Sequence, residues 1–275
     1  MSKLGERLLL LLSRDPNAPD YGDGATLRYT LENALDFARK TIPDFERLIL
    51  GQTVLDYGCG PGWQAVAMHR LGARRVVGVD INERWLPAAR QLAEQAGCTG
   101  PVSFHAAAPE ELQGTFDVVV SLSSMEHFRD PQCELTRMRQ AVRPGGLVVI
   151  SFAEPWLSHS GSHMGFLTKV PWVNLLFSEQ TVMRVRAQFR QDGATRYEEV
   201  EGGLNRMTLR KFERLIPPAG MRVELLKYYP TKGLPLVGRL PLVREFLISA
   251  ATCVLRKAEA GQESSGAALS EPPSL

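Results

Sequence analysis

The sequence predicts an α/β fold with a doubly wound, mostly parallel sheet of seven strands. Short apolar runs alternate with helical patterns between residues 49 and 152, and this alternation is typical of a parallel sheet that carries helices on both faces. A glycine-rich turn follows the first apolar run, and a carboxylate ends the second. With 275 residues the chain can hold one such domain with a sizeable insertion.

Residues 1–45 are predicted to form a helical segment ahead of the sheet. Leu27, Leu31 and Leu35 recur every fourth residue and predict an amphipathic helix from about Thr26 to Thr41. The apolar run from residue 8 to residue 12 is too short for a signal peptide or a membrane span. The four scattered cysteines form no CxxC pair, so we expect reduced thiols and a cytoplasmic protein.

The sheet region is predicted to contain five strands with helices between them. The strands are apolar runs bounded by turn residues, and the longer periodic stretches between them predict helices. The predicted strands are Thr53–Tyr57, Arg75–Asp80, Val102–His105, Phe116–Ser121 and Leu147–Phe152, and the predicted helices are Trp63–Leu71, Glu83–Ala96 and Cys133–Val142.

Regular structure is expected to lapse over residues 153–206, after the fifth strand. An insertion there lies beside the carboxyl ends of the strands, where open α/β sheets bind ligands, so we interpret it as a substrate cap. A helix from Thr208 to Ile216, with Thr208 as its N-cap, follows the insertion.

Two further strands, Met221–Tyr229 and Ile248–Leu255, are expected to give the sheet an antiparallel end. They complete a domain that spans residues 46–258. Residues 259–275 are rich in Ala, Gly, Ser, Glu and Pro and are predicted to form a disordered tail.

The glycine-rich turn between the first strand and the first helix is the strongest binding signal in the chain. Gly58, Gly60 and Gly62 alternate in the stretch VLDYGCGPG, and glycine lets backbone N–H groups approach a ligand closely. The helix that follows points its positive N-terminal end at the same place. Asp80 ends the second strand, where a doubly wound fold holds the acid that binds a ribose diol.

The spacing of these residues resembles that of the class I S-adenosylmethionine-dependent methyltransferases. Asp56 precedes a G-x-G-x-G turn, whereas dinucleotide-binding dehydrogenases have G-x-G-x-x-G. Downstream, FDVVVS with MEHF and DP resembles the fourth strand of that family and its loop, and VRPGGLVVI resembles the turn and fifth strand. The resemblance covers residues 49–152 and includes the type 11 and quinone-biosynthesis-like small-molecule methyltransferases.

The resemblance implies S-adenosylmethionine as the cofactor and gives the matched residues roles in binding it. The backbone at Gly58, Gly60 and Gly62 would contact the methionyl and ribose parts of the cofactor. Asp56 would orient the turn and attract the cofactor's ammonium group, directly or through water. Asp80 would bind both ribose hydroxyls, and hydrogen bonds to a charged acceptor contribute about 1.5–3 kcal/mol each.

Further contacts are implied for the adenine and the methionyl ammonium group. Ile81 would lie against the adenine face, and Ser121 would offer its carbonyl to the ammonium group. The family commonly has an acid after the third strand, but this chain has alanines, so backbone groups near Ala107 and Ala108 are expected to bind the adenine. The N-terminal segment often closes over the cofactor in this family, which makes Tyr21 and Tyr29 weak candidates for a lid.

A general base is needed only if the methyl acceptor is an undissociated hydroxyl. His127, beside the expected methyl position, is the first candidate for that base, and His159 and His163 in the cap are the second. A structural, hydrogen-bonded histidine is the alternative role for His127. Ser123 replaces the first Glu of the E-x-x-E-H motif in the quinone-pathway enzymes, so no metal site is expected.

The C-terminal third is the basic part of the chain. Residues 184–257 carry 15 Lys or Arg against 7 Asp or Glu, while the formal net charge of the whole chain is +2. Such a surface attracts phosphate-bearing or membrane-associated substrates, although interspersed arginines also solvate helices. A near-duplicated LPLV segment within residues 234–247 is a candidate for peripheral membrane contact, with an ordinary packed connection as the alternative.

Together these observations predict methylation of a small-molecule, lipid or glycan acceptor, most of all on oxygen. No basic run with interleaved aromatic residues indicates nucleic acid. Two other classes of function stay open. A non-catalytic S-adenosylmethionine-binding module would be consistent with the missing adenine acid, and a nicotinamide-dependent oxidoreductase would need the G-x-G-x-x-G spacing that this turn lacks.

Overall fold

In the computed structural model, residues 3–15, 29–231 and 243–259 are described. Within them one sheet has seven strands in the order β3-β2-β1-β4-β5-β7-β6. The strands are β1 (Thr53–Tyr57), β2 (Arg75–Val79), β3 (Val102–His105), β4 (Phe116–Leu122), β5 (Val142–Ala153), β6 (Arg222–Pro230) and β7 (Ile248–Arg256).

The first five strands are parallel, and β7 pairs antiparallel with both β5 and β6. The strand order reverses between β1 and β4, so the carboxyl ends of these two central strands border the crevice where such sheets bind ligands. Six of the seven residues of β4 and the three central residues of β1 are buried, as expected for strands covered on both faces. The predicted doubly wound α/β sheet with an antiparallel end is confirmed.

The helices are α1 (Lys3–Leu11), α2 (Asp36–Thr41), α3 (Phe45–Ile49), α4 (Trp63–Arg70), α5 (Leu86–Gln95), α6 (Pro131–Ala141), α7 (Val173–Leu176), α8 (Glu179–Arg186), α9 (Leu209–Leu215) and α10 (Arg244–Leu247). Side-chain caps fix several starts: Asp130 accepts from the N–H of Cys133, and Thr208 accepts from the N–H of Lys211. The predicted cap at Thr208 is therefore observed.

Most predicted boundaries differ from the observed ones by one to three residues, and two differ by more. Of the amphipathic helix predicted from Thr26 to Thr41, residues 26–28 lie outside the described part; in the described remainder the helix begins at Asp36, because residues 31–35 form turns. β5 begins at Val142 instead of Leu147, since Phe116 already pairs with Val142 ahead of a register shift. The apolar run of residues 8–12, to which no secondary structure was assigned from the sequence, lies largely within helix α1.

Two apolar clusters cover the two faces of the sheet. One contains side chains of α2 to α5, and the other contains side chains of α6, α9 and β7. A third cluster joins Leu9 of α1 to Val173, Val182 and Tyr197 of the segment after β5. Residues 153–206, for which regular structure was expected to lapse, therefore contain α7 and α8 and pack around the N-terminal helix.

Candidate functional site

The glycine turn after β1 is built so that its middle glycine faces open space. Gly58, Gly60 and Gly62 have φ values of 84°, 49° and 85°, in the left-handed region that favours glycine. A Cβ at Gly58 would lie 2.4 Å from the Ser124 hydroxyl, and a Cβ at Gly62 would lie 2.8 Å from the Phe104 ring. A Cβ at Gly60 would meet nothing within 4 Å. Gly58 and Gly62 are therefore fixed by packing, whereas the backbone at Gly60 is open to a ligand.

Asp80 lies against this turn and orders it. One carboxylate oxygen accepts a hydrogen bond from the N–H of Gly60 at 2.8 Å, and the other accepts from the N–H of Asn82, also at 2.8 Å. The side chain thus ties the loop after β2 to the loop after β1. Each carboxylate oxygen retains acceptor capacity, because an ionised carboxylate has about four lone-pair sites and only two are used.

Asp56 is buried beneath the turn, with no exposed surface. Neither of its carboxylate oxygens has a hydrogen-bond partner in the structure. Burial, and secondarily the negative charge of Asp80, raise the pKa of Asp56 to about 7. A buried carboxyl group without hydrogen-bond partners lowers the stability of the fold. Both oxygens of Asp56 are therefore free to accept hydrogen bonds from a ligand bound at the turn.

The residues predicted to contact the adenine and the methionyl ammonium group differ in their exposure. Ile81 is 91% exposed, an unusual state for an isoleucine, and leaves an apolar surface at the edge of the site. Ala107 is exposed and Ala108 is half-buried in the loop after β3. Ser121 is fully buried near the end of β4, and its hydroxyl has no hydrogen-bond partner in the structure.

The loop after β4 lies against the glycine turn and carries His127. Ser124 donates a hydrogen bond to the carbonyl of Gly58 at 3.3 Å or to that of Leu122 at 3.2 Å. On the opposite side, the amide of Asn205 donates to the carbonyls of Met125 and Phe128, both at 2.8 Å. The backbone around His127 is therefore held between the glycine turn and the end of the inserted segment.

A hydrogen bond to Gly203, in the segment 153–206, fixes the tautomer of His127. Its Nδ1 lies 2.6 Å from the carbonyl oxygen of Gly203. Because a carbonyl only accepts, Nδ1 carries the proton and Nε2 of the neutral ring is the acceptor. Burial lowers the pKa of His127, opposed by the Gly203 hydrogen bond and by the charge of Asp80. The ring is thus neutral at pH 7, as a general base requires.

His163 lies against His127, whereas within the described part of the chain His159 makes no ring contact or hydrogen bond with either of them. The rings of His127 and His163 meet edge to face, with centroids 5.6 Å apart. Nε2 of His163 lies 3.7 Å from a carboxylate oxygen of Glu154. Burial and the neighbouring His127 lower the pKa of His163 to about 4, so at neutral pH this contact is not an ion pair.

Two glutamates that the sequence assigned to no catalytic role complete the surroundings of His127. Glu126 is fully buried, and burial raises its pKa to about 8. Glu154 has a positive φ of 55°, and burial raises its pKa as well. Tyr29 is close enough to Glu126 for that charge to contribute to a raised pKa of the phenol, after burial. Tyr21, the other proposed lid residue, lies outside the described residues.

Sequence reasoning missed Asn205, Gly203 and Glu154. They come from the insertion and its edges, where the sequence has no clear period and so offers no positional signal. Positive φ values at Ser123, Glu154 and His163 mark the same region, and left-handed non-glycine residues concentrate at functional sites. In the described part of the chain, no group of three His, Cys, Asp or Glu side chains is arranged to hold a metal ion.

Comparison with known proteins yields a family and a group of partial relatives. Residues 54–146 match a family model described as a methyltransferase domain. A ubiquinone biosynthesis O-methyltransferase of Cereibacter sphaeroides is 42% identical over 104 residues, which are 37% of this chain and 41% of the relative. The corresponding enzyme of Roseobacter denitrificans is 44% identical over 102 residues, with the same coverage. The chain thus spans under half the length of these relatives.

Solved structures share the fold at lower identity. A S-adenosylmethionine-dependent methyltransferase from Mesorhizobium loti superposes with a TM-score of 0.54 at 19% identity, over 83% of this chain and all of that one. The [4+2]-cyclase SpnF superposes equally well at 14% identity, over 90% of this chain and 86% of the other. Likeness at this level shows the fold, and a fold hosts more than one reaction.

Proposed function

We propose that the chain, whose residues 54–146 match a methyltransferase domain, transfers a methyl group from S-adenosylmethionine to a hydroxyl of a small-molecule acceptor. The observation that carries the proposal is the juxtaposition of an open glycine turn, held by Asp80, with the neutral base His127 on the adjoining loop. The partial relatives named as O-methyltransferases support oxygen as the acceptor atom.

The residues present fit the cofactor. Asp56 has two partnerless carboxylate oxygens beneath the turn, and the cofactor's methionyl part carries an ammonium group that would favour the ionised acid. Gly60 leaves the space that a Cβ would fill, Asp80 retains acceptor sites for ribose hydroxyls, and Ile81 offers an apolar surface for adenine. Backbone groups near Ala107 and Ala108, and the carbonyl of Ser121, remain the proposed partners of adenine and ammonium.

His127 is the proposed general base of the reaction. When bound, S-adenosylmethionine supplies an electrophilic methyl carbon on a sulfonium. Nε2 of His127 would accept the proton of the acceptor hydroxyl as the methyl carbon passes from the sulfonium sulfur to the hydroxyl oxygen. The S–C bond would break, S-adenosylhomocysteine would leave, and Nδ1 of His127 would keep its hydrogen bond to the Gly203 carbonyl. Positioning of the two reactants accounts for much of the rate, since effective molarity lowers such barriers by about 7–11 kcal/mol.

The acceptor is proposed to bind under residues 153–206, which keep their assignment as a substrate cap. This segment supplies His163 against His127 and Glu154 against His163. Its half-buried Trp156 packs edge to face on the buried Tyr197, with 4.8 Å between the ring centroids, and leaves part of its own ring exposed. A ring-bearing acceptor would suit that surface, and lipid or glycan acceptors are the wider class. Residues 1–45 keep their proposed role as a lid. Of the proposed membrane-contact segment 234–247, residues 234–242 lie outside the described part.

Methyl transfer from radiolabelled S-adenosylmethionine to panels of phenols, quinols, lipids and glycans tests the proposal. We expect the wild-type chain to label a hydroxyl acceptor and His127→Ala to reduce kcat at least about a hundredfold with cofactor affinity nearly unchanged, the usual contribution of a general base. His69→Gln, which changes a histidine of α4 bonded to the Ala73 carbonyl, is the matched control. Cofactor binding without any labelled acceptor would instead indicate a non-catalytic binding module.

A further inference from the structure

Helix α1 presents an apolar stripe to solvent. Leu4, Leu8 and Leu11 are 75%, 49% and 83% exposed, and their spacing of four and then three residues puts them on one face of the helix. The opposite face is anchored in the protein, because Leu9 is fully buried in the third apolar cluster. A soluble protein seldom leaves a row of leucines in water without a use for it.

The basic residues of α1 lie on its exposed side, and its acidic residue faces the protein. Lys3 and Arg7 are exposed along one edge of the stripe, and neither makes an ion pair among the described residues. Glu6, the only acid of the helix, is turned inward toward Arg184 of α8, with 3.9 Å between the charged atoms. The outward surface of α1 is therefore apolar and positive.

The neighbouring part of the insertion also exposes leucines. Thr168 donates its hydroxyl to the carbonyl of Leu12 at 2.9 Å, which ties the end of α1 to the segment before α7. Leu175 and Leu176 of α7 are exposed, and α7 packs on α8 as α1 does. Residues 155–178 contain one lysine and no Asp or Glu.

We propose that α1, with the exposed leucines of α7, docks the protein on the surface of an anionic lipid bilayer. A short helix whose leucines face outward beside Lys and Arg has the geometry of an interfacial helix, which lies in the headgroup region without crossing it. Lysine and arginine stems lie along apolar surface while their charges reach anionic headgroups. In the described residues no helix is long and apolar enough to cross a bilayer.

The arrangement favours a bilayer over a second copy of the chain. A stable protein interface buries on the order of 800 Å² per partner and is rich in aromatic residues, whereas the proposed surface consists of three leucines of α1 and two of α7, with no aromatic side chain among them. Two copies joined through parallel α1 helices would also bring Lys3 and Arg7 of each near the same cations of the other. An anionic surface satisfies both the leucines and the cations.

Co-sedimentation of the full chain with vesicles tests the proposal. Vesicles of phosphatidylcholine alone are compared with vesicles that also contain phosphatidylglycerol. We expect binding to the anionic vesicles, a loss of at least tenfold in partitioning for the triple variant Leu4→Gln, Leu8→Gln, Leu11→Gln, and a loss on the order of fivefold per cation for Lys3→Gln and Arg7→Gln. Leu50→Gln changes an exposed leucine outside this surface and should bind as the wild type does.

Circular dichroism and cofactor titration of the same variants check that they stay folded, since the substituted side chains are exposed. No binding of the wild-type chain to anionic vesicles would overturn the proposal, as would unchanged binding of a folded triple leucine variant. Sedimentation velocity measures the oligomeric state of the same proteins and tests self-association as the alternative. A wild-type dimer that the leucine substitutions convert to monomer, without vesicle binding, would assign the stripe to self-association instead.

Discussion

At the scale of single residues, Asp56 is the group whose protonation the proposed cofactor changes most directly. Its pKa of about 7 means that about half of the molecules carry a proton there at pH 7. A cationic group beside the carboxyl favours its ionised form. Binding of S-adenosylmethionine at pH 7 should therefore release up to about half a proton.

Calorimetric titrations in two buffers of different ionisation enthalpy measure that proton. The observed binding enthalpy of the wild-type chain should differ between the buffers, and the difference should shrink in Asp56→Asn. The same experiment at pH 9, where Asp56 is already ionised, should show almost no release from this group. Equal enthalpies for the wild type in both buffers at pH 7 would contradict the role given to Asp56.

Glu126 gives a second expectation at this scale, in the pH dependence of folding. Its pKa is about 8 in the folded chain because of burial, against about 4.5 when unfolded. A raised pKa means that the folded state binds the proton more tightly, so its contribution to stability is full below pH 4.5 and is lost as the pH rises through 8. Glu126→Gln should remove at least about 1.4 kcal/mol of the stability difference between pH 5 and pH 9, the equivalent of one pKa unit.

Urea unfolding at the two pH values measures this difference for the wild type and the variant. Glu110→Gln, at an exposed glutamate of the loop after β3, is the control and should leave the difference unchanged. If Glu126→Gln lost stability between pH 5 and pH 9 as steeply as the wild type, the buried acid would not be the cause.

At the scale of elements, two glycines of the turn from β1 to α4 are required for different reasons. Gly62 is required for packing, and Gly60 is proposed to be required for ligand binding. Gly60→Ala and Gly62→Ala both place a side chain at positive φ, which costs roughly 1–2 kcal/mol. Only the second also drives a Cβ against Phe104 at 2.8 Å and Ala89 at 2.9 Å. We expect Gly62→Ala to lose a further 1–3 kcal/mol or so of stability through overpacking.

Gly60→Ala should instead stay folded and bind S-adenosylmethionine at least about tenfold more weakly, because the open space at this position is the proposed ligand space. Thermal unfolding and calorimetric titration of both variants measure the two effects. Normal cofactor affinity in Gly60→Ala would show that the ligand lies elsewhere.

The same elements explain which parts of the site the sequence could predict. The order β1, glycine turn, α4, β2 and Asp80 is local, and each step leaves a motif in consecutive residues. The hydrogen bond between His127 and Gly203 joins residues that are 76 positions apart in the chain, and the bond between Asn205 and Met125 joins residues that are 80 positions apart. Such contacts depend on how the insertion folds back onto the sheet, and a segment without periodicity gives no signal for that. The helix predicted from Thr26 was too long for a related reason, since tertiary context overrides local propensity.

At the scale of the whole molecule, α1 and the insertion form a layer with its own apolar cluster beside the sheet. Leu9 joins the two parts, and Leu9→Ala should destabilise that layer by about 2–5 kcal/mol. Because Gly60 and Asp80 lie in the loops directly after β1 and β2, outside that layer, cofactor affinity should change little. Turnover should fall, since the layer supplies Gly203 and His163.

Hydrogen exchange of the intact chain measures this separation, with Leu4→Ala, at an exposed position of the same helix, as the control. Protection should decrease across residues 160–204 in Leu9→Ala and remain unchanged in the strands. A uniform loss of protection over the sheet would mean that the layer and the sheet unfold as one unit.

Calorimetric titration of the wild-type chain and of Asp80→Asn with S-adenosylmethionine, and separately with NADH, tests the central claim most directly. The glycine turn and Asp80 are expected to bind S-adenosylmethionine, the affinity should fall at least about tenfold in Asp80→Asn, and NADH should not bind. Glu83→Gln, at a nearby exposed acid, should bind as the wild type does. Tight binding of NADH with none of S-adenosylmethionine would contradict the account.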